Sequence, residues 1–218
     1  MQSNPRQKSE QMYYYVDMEL LPTSSLLDAT PHQPPTTLPL KAEYATLLPK
    51  GGLLAGAVTS VCGAGSYTAM IEMLSVTSQA GYNIALAGLH DLGVVALARA
   101  GWDLSRVLLV DHESEMNQVI ALLVAAFDVV VLDVAVLDRS WHRLVARARE
   151  RRSALVMLDR MVTIEHDQLR RSLPGVTLVV EELGWGVPTP ECPLGSPILR
   201  IAAEEHGLTV GMATTVAQ

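Results

Sequence analysis

The chain has 218 residues, of which 49% are apolar and 18% are charged, and its formal net charge is −7. This composition excludes disorder over the whole chain, and the negative charge argues against general electrostatic capture of nucleic acid, while leaving a local basic patch open. The longest unbroken apolar run, Val119–Phe127, is far shorter than a membrane-spanning helix, and no apolar segment marks a secretory signal. We therefore expect a soluble, cytoplasmic protein without membrane association.

Residues 1–46 differ in composition from the rest of the chain. Most of the prolines lie in or just beyond this stretch, among Thr and Ser as in TPHQPPTTLP, which favours an extended arm. The pattern QMYYYVDMELL allows one short helix at about residues 9–21. Two interpretations stay open: a loose arm, or an arm that docks on a partner or on a neighbouring copy of the chain.

From Leu53 onward, short runs rich in Val, Leu and Ala alternate with amphipathic stretches. Such alternation predicts βαβ units around a mostly parallel sheet, and the continuously apolar strands indicate helices on both faces. In chain order we predict strand 57–62, helix 66–80, strand 83–87, helix 92–100, strand 107–110, helix 114–126, strand 128–132, helix 139–152 and strand 154–158. The runs 176–180, 198–203 and 208–216 follow, with His206-Gly207 between the last two.

Residues 184–218 are predicted to form a Gly/Pro-rich linker followed by an antiparallel hairpin that closes the sheet. Trp185 lies between glycines in this linker. Aromatic side chains in such positions serve as partner anchors, and a tryptophan buried against the sheet edge is the alternative. The fold class is thus α/β, with a mostly parallel central sheet flanked by helices and a C-terminal antiparallel hairpin.

The turn after the first strand of this region is a candidate phosphate site, because a helix N-terminus attracts anions. Its residues include Gly63, Gly65, Ser66, Tyr67 and Thr68. The turn is too short for the Walker A pattern and lacks its lysine, and Thr68 stands where a dinucleotide fingerprint needs a third glycine. The alternative is an ordinary strand-to-helix turn with Ser66 as the N-cap.

Asp133 ends the apolar run FDVVVLD, which is the layout of a Walker B strand. No lysine follows Lys50, so no later lysine can replace the missing one. The two cysteines, Cys62 and Cys192, have no metal-ligand spacing, and no histidine cluster or catalytic serine pattern is visible. We therefore expect neither a metal nor a bound cofactor.

Several ordered blocks between residues 47 and 160 make the chain resemble the RecA family of recombinase ATPases. They are LPKGGLLAGAVTSVCGAGSYTAM, then NIALAGLHDLGVVALARAGWDLSRVLLV, then FDVVVLD. The resemblance implies a truncated RecA-like core over residues 47–183. It also places Leu89 where the family carries its catalytic glutamate, with the neighbouring His90 retained, and leucine cannot polarise an attacking water.

Within that family, the short length, the degenerate loop and the arginine-rich helix resemble the ImuA-prime proteins of actinobacteria. This resemblance implies a catalytically inactive adaptor in the damage-induced (SOS) response and translesion synthesis. Its expected partners are an ImuB-like inactive Y-family polymerase, an error-prone DnaE-type polymerase and RecA. The alternatives are a RecA-type ATPase with an atypical nucleotide site and a SulA-like inhibitor of cell division.

The stretch RSWHRLVARARERR predicts an amphipathic helix with a core-facing stripe at Trp141, Leu144, Val145 and Ala148. On another face, arginines recur at every fourth residue: Arg139, Arg143, Arg147 and Arg151. They form either a solvated surface or a basic patch for an acidic partner or a weak DNA contact.

Overall fold

The computed structural model describes residues 36–111, 116–137, 141–160, 175–188, 196–205 and 208–216. All of them belong to the compact unit Pro34–Gln218. The predicted helix at residues 9–21 and the turn at His206-Gly207 lie outside the described residues, as does most of the predicted arm.

The strands and helices alternate in the central part of the chain. The strands are β1 (Thr37–Leu38), β2 (Leu53–Leu54), β3 (Val58–Cys62), β4 (Ile84–Ala87), β5 (Val107–Val110), β6 (Val129–Asp133), β7 (Ala154–Asp159), β8 (Gly175–Trp185), β9 (Pro197–Glu205) and β10 (Leu208–Val216). The helices are α1 (Ala42–Ala45), α2 (Ser66–Gln79), α3 (Val94–Arg99), α4 (Met116–Ala126) and α5 (Trp141–Arg151). None of these helices combines the length and the apolar character needed to cross a membrane.

The central sheet has eight strands in the order β10-β9-β8-β3-β7-β6-β4-β5. Every pair from β8 to β5 is parallel, whereas β9 and β10 extend the sheet in antiparallel fashion. The prediction of an α/β fold with a C-terminal antiparallel hairpin is therefore confirmed. A separate two-stranded antiparallel sheet joins β1 and β2.

Both faces of the central parallel strands β3, β7, β6 and β4 are covered, which explains why these strands are almost continuously apolar. Along β6, Val129 and Val131 belong to one core cluster, with α2 and α3, whereas Val130 and Leu132 belong to the other, with α4 and α5. The two groups of helices thus lie on opposite faces. The predicted stripe on α5 is confirmed, because its aliphatic members Leu144, Val145 and Ala148 are buried.

The residues just before the predicted core boundary at residue 47 also contribute to the core. Leu38 and Tyr44 are fully buried in the cluster that contains α2. Lys41, which precedes α1, forms an ion pair with the buried Glu72 of α2 and so fastens this segment to the helix. The compact core therefore begins earlier than residue 47, a feature that the Pro-rich composition concealed.

The other predicted boundary, between residues 183 and 184, falls inside a strand. β8 continues through Glu181 and Glu182 to Trp185 because β9 pairs with it along this length, with a register shift between Glu182 and Gly184. The first part of the predicted linker is therefore the end of a sheet strand.

Candidate functional site

The carboxyl ends of three neighbouring parallel strands define the candidate site. β3 ends at Cys62, β7 at Asp159 and β6 at Asp133, and β7 lies between the other two. α2, which follows β3, and α5, which follows β6, cover opposite faces of the sheet. In open α/β sheets, the crevice at such a divergence of connections is the usual place for a ligand.

The turn from β3 into α2 packs tightly against β8, the parallel neighbour of β3, and against the side chain of Leu199 in β9. Gly63 has a φ of +107°, and a Cβ atom there would lie 2.1 Å from the carbonyl oxygen of Val180 in β8. A Cβ atom on Gly65 would lie 2.9 Å from the side chains of Val180 and Leu199. Glycine is needed at position 63, where the φ is positive and the β8 backbone fills the space for a side chain, whereas the contacts at Gly65 are with side-chain ends.

Two N–H groups of this turn already have acceptors inside the protein. The Gly63 N–H donates to the Asp159 carbonyl oxygen at 2.9 Å, and the Ser66 N–H donates to the Gly63 carbonyl oxygen at 3.1 Å. A phosphate cradle depends on such groups being free to point at the anion. The turn therefore offers fewer donors than a phosphate-binding loop of the same length.

The N-cap of α2 is Gly65, so the prediction of Ser66 as N-cap is wrong by one residue. Ser66 is already helical, and its hydroxyl is fully buried without a hydrogen-bond partner in the described part of the chain. A side chain at the first helical position is not placed to accept from the next two backbone N–H groups as an N-cap does. The turn thus lacks the side-chain cap expected of an ordinary strand-to-helix connection.

Tyr67 connects the turn with the end of β6. Its hydroxyl donates to Asp133 Oδ2 at 3.4 Å, while Asp133 Oδ1 accepts the N–H of Ala135 at 2.8 Å. Desolvation by burial, followed by the nearby charge of Asp133, raises the pKa of the Tyr67 phenol. The phenol therefore stays protonated and can donate at neutral pH.

Arg160, immediately after β7, completes this group of side chains. Its guanidinium lies 4.6 Å from the ring centroid of Tyr67, within cation–π range. It also donates to Asp91 Oδ2 at 2.8 Å. We call Tyr67, Asp91, Asp133 and Arg160 the Tyr67 network. With two carboxylates and one guanidinium, the network has an excess of negative charge and disfavours a polyphosphate.

The remaining residues at this end of the sheet are arranged differently. Leu89, at the position that the resemblance assigns to a catalytic glutamate, is buried in the core. His90 is exposed and contacts Asp111 Oδ1 through Nδ1 at 2.5 Å. Within the described ranges, no group of three His, Cys, Asp or Glu side chains is placed to hold a metal ion.

The predicted arginine patch lies on the face of the sheet covered by α4 and α5. Arg143 and Arg147 line a cavity of about 270 Å³ between these two helices, and Arg151 is exposed at the end of α5. Arg139 lies outside the described residues. Trp185 is 57% exposed at the end of β8, so the alternative of a buried tryptophan is wrong.

Sequence reasoning placed Gly63–Thr68 and Asp133 at one site but missed Asp91 and Arg160. Arg160 follows a buried strand directly, and the carboxyl ends of neighbouring parallel strands meet at one edge of the sheet. The position of Arg160 directly after a strand could therefore have indicated that it belongs to the site. Asp91 lies in a loop, and its contact with Arg160 joins residues that are far apart in the chain.

Comparison with known proteins places the chain in a family. The family profile described as "MT3502 N-terminal domain" matches residues 46–163, which is more than half of the chain and includes the whole Tyr67 network. The chain belongs to this family.

The chain is also similar to the "Uncharacterized protein Rv3395c" of Mycobacterium tuberculosis (strain ATCC 25618 / H37Rv), with 33% identity over 99 residues. The aligned part covers 44% of this chain and 48% of the relative. The chain thus spans about half the length of the curated relative that it matches.

Proposed function

We propose that the protein is a catalytically inactive RecA-like adaptor that acts in the cytoplasm in damage-induced translesion synthesis. In this role it binds an ImuB-like inactive Y-family polymerase and works with an error-prone DnaE-type polymerase and RecA. The resemblance of residues 47–160 to recombinase ATPases motivates the proposal. The α/β fold, with its predicted loop and aspartate brought to one crevice, agrees with it.

The Tyr67 network is the observation that carries the proposal. In the Walker A pattern a lysine precedes the Ser or Thr, and its ammonium group reaches the β- and γ-phosphates. Here Tyr67 precedes Thr68, and the phenol contacts Asp133, the residue that would orient Mg²⁺ in a Walker B strand. A neutral donor bonded to that carboxylate supports a site that has lost its nucleotide chemistry.

Nucleotide binding is the first test of the proposal. In isothermal titration with ATP and Mg²⁺, we expect no binding tighter than about 1 mM and no ATP turnover, because the triphosphate would meet a negatively charged crevice without a lysine. Arg160→Ala is the matched variant, since the Arg160 guanidinium contacts the ring of Tyr67 in the loop. Micromolar binding with turnover that Arg160→Ala abolishes would instead establish the ATPase alternative.

The adaptor role needs a cellular test. Loss of the protein should lower the frequency of damage-induced mutations, and the tagged protein should co-purify with the ImuB-like polymerase from DNA-damaged cells. An unchanged mutation frequency together with filamentous growth on overexpression would contradict the proposal and favour the SulA-like inhibitor.

A further inference from the structure

The helix α4 is apolar on nearly its whole circumference. Met116, Ile120, Leu123 and Val124 are buried against the sheet. On the opposite side Leu122 is 66% exposed, and Ala125 and Ala126 are exposed with it. A helix that is apolar all round is normally covered by protein on both sides. The outer side of α4 therefore has the character of a surface that another element covers.

A groove runs beside this outer surface, between α4 and α5. It contains the cavity of about 270 Å³, which is lined by Asn117, Gln118, Ala121, Arg143, Leu144 and Arg147. Ala121 and Leu144 provide apolar lining, whereas the two arginines stand on the α5 side. The groove thus combines apolar contact with positive charge along one wall.

The positive charge of this wall is uncompensated in the described structure. Neither Arg143 nor Arg147 forms an ion pair with another described residue, and the two residues are one helical turn apart on α5. Like charges at this spacing are unfavourable. Carboxylates supplied by a partner at the same spacing would relieve that repulsion.

We propose that the groove between α4 and α5 binds an acidic amphipathic helix of a partner protein. Its apolar side chains contact Leu122, Ala121 and Leu144, and its carboxylates, about one turn apart, pair with Arg143 and Arg147. The proposal deepens the adaptor function and rests on it for the assumption that the partner is a protein. A DNA backbone would pair with the arginines but leave Leu122 uncovered, so the apolar part of the surface favours a peptide.

A selection experiment identifies what the groove recognises. A library of random 18-residue peptides is displayed and selected against the full-length protein, and the enriched peptides are measured by fluorescence anisotropy. We expect enrichment of Glu and Asp together with apolar residues at helical spacing. The double variant Arg143→Glu/Arg147→Glu should weaken binding of these peptides by about tenfold or more, because each charge pair becomes repulsive.

Three further variants separate surface chemistry from folding. Leu122→Glu should weaken binding through the apolar side of the groove, and Arg143→Gln/Arg147→Gln removes the charges with less risk to the fold. Arg99→Glu changes an exposed arginine on α3, across the sheet, and should leave affinity within about twofold. Peptides with Glu replaced by Arg should regain binding to the Arg143→Glu/Arg147→Glu variant.

Two results would overturn the proposal. One is enrichment of peptides without acidic residues, or of acidic peptides that bind the wild type and the double variants equally. The other is no specific peptide enrichment while a 20-nucleotide single-stranded DNA binds and loses affinity in the double variants, which would assign the arginines to nucleic acid. If the protein turns over ATP but peptide binding behaves as expected, the proposal of an inactive adaptor is contradicted, whereas the proposal of a peptide-binding groove between α4 and α5 is supported.

Discussion

Gly63 shows how closely single residues of the candidate site depend on the neighbouring strand β8. Its backbone is in the left-handed region, and the space for a side chain is occupied by the Val180 carbonyl. Because the β8 backbone occupies this space, position 63 accepts no side chain unless the turn or β8 shifts. In sequence, the glycines of the turn look like part of a phosphate-binding loop. In the structure, Gly63 is there because the packing against β8 leaves no space for a side chain.

We expect Gly63→Ala to lower the free energy of unfolding by about 3 kcal/mol, from backbone strain together with the clash against Val180. Gly81→Ala is the matched control, because Gly81 also has a positive φ of +89° but has no atom within 4 Å of its Cβ position. Its cost should be about 1 kcal/mol, from strain alone. Urea denaturation measures both, and equal losses would contradict the packing argument.

Tyr44 is a second residue whose environment has a measurable consequence. Its hydroxyl is buried and has no hydrogen-bond partner among the described residues. Desolvation by burial, with smaller effects from Glu72 and Glu43, raises its pKa well above the ordinary 10.0. The folded protein therefore resists ionisation of this phenol, whereas the unfolded chain ionises it at its ordinary pKa.

The raised pKa of Tyr44 predicts a loss of stability in alkali. The contribution of the neutral Tyr44 phenol to the free energy of unfolding is fully present below pH 10. It is lost progressively as the pH rises above 10, because the phenol then loses its proton in the unfolded chain but keeps it in the folded protein. Tyr44→Phe should be as stable as the wild type at pH 7.5 or more stable by about 1 kcal/mol, since it removes an unpartnered hydroxyl. It should also lose less stability than the wild type between pH 9 and pH 11. Parallel stability curves in urea titrations would contradict this.

At the scale of elements, the region from β3 to β7 was predictable. Its strands are apolar runs, buried on both faces in all of them but the edge strand β5, and their sequence signal is direct, as in Val129–Leu132. The end of β8 could not be predicted from the sequence, because Glu181 and Glu182 are exposed and the strand there depends on backbone pairing with β9. β1 and α1 were missed because Leu38 and Tyr44 stand among prolines and polar residues.

The candidate site was predictable only in part for a related reason. The end of a strand and the turn after it can be recognised from neighbouring residues in the sequence, and Gly63–Thr68 and Asp133 were found in that way. The contacts of Arg160 with Tyr67 and Asp91 join three separate segments of the chain. Such pairings follow from the order of strands in the sheet, which a single sequence does not specify.

For the molecule as a whole, the strand order predicts how local stability is distributed. β3 and β7 are central and wholly buried, whereas β5 is an edge strand whose residues are half-buried or exposed. In native-state hydrogen exchange, we expect amides of β3 and β7 to exchange more slowly than those of β5 by about two orders of magnitude or more, because edge strands open without global unfolding. Equal protection would contradict the sheet order. β4, which is buried but lies beside β5, should behave as an intermediate case.

The exposed edge at β5 also bears on handling of the isolated protein. Leu108 and Leu109 are 40% and 43% exposed on opposite faces of a strand whose outer side meets no described strand. Such an edge is a template for intermolecular β-association, and concentration-dependent precipitation is its usual symptom. Arg106 and Asp111 flank the strand as charged gatekeepers, which is how natural sequences restrain that hazard. The net charge of −7 makes copies of the protein repel one another, and dilute, low-salt preparations preserve this repulsion because few ions screen it.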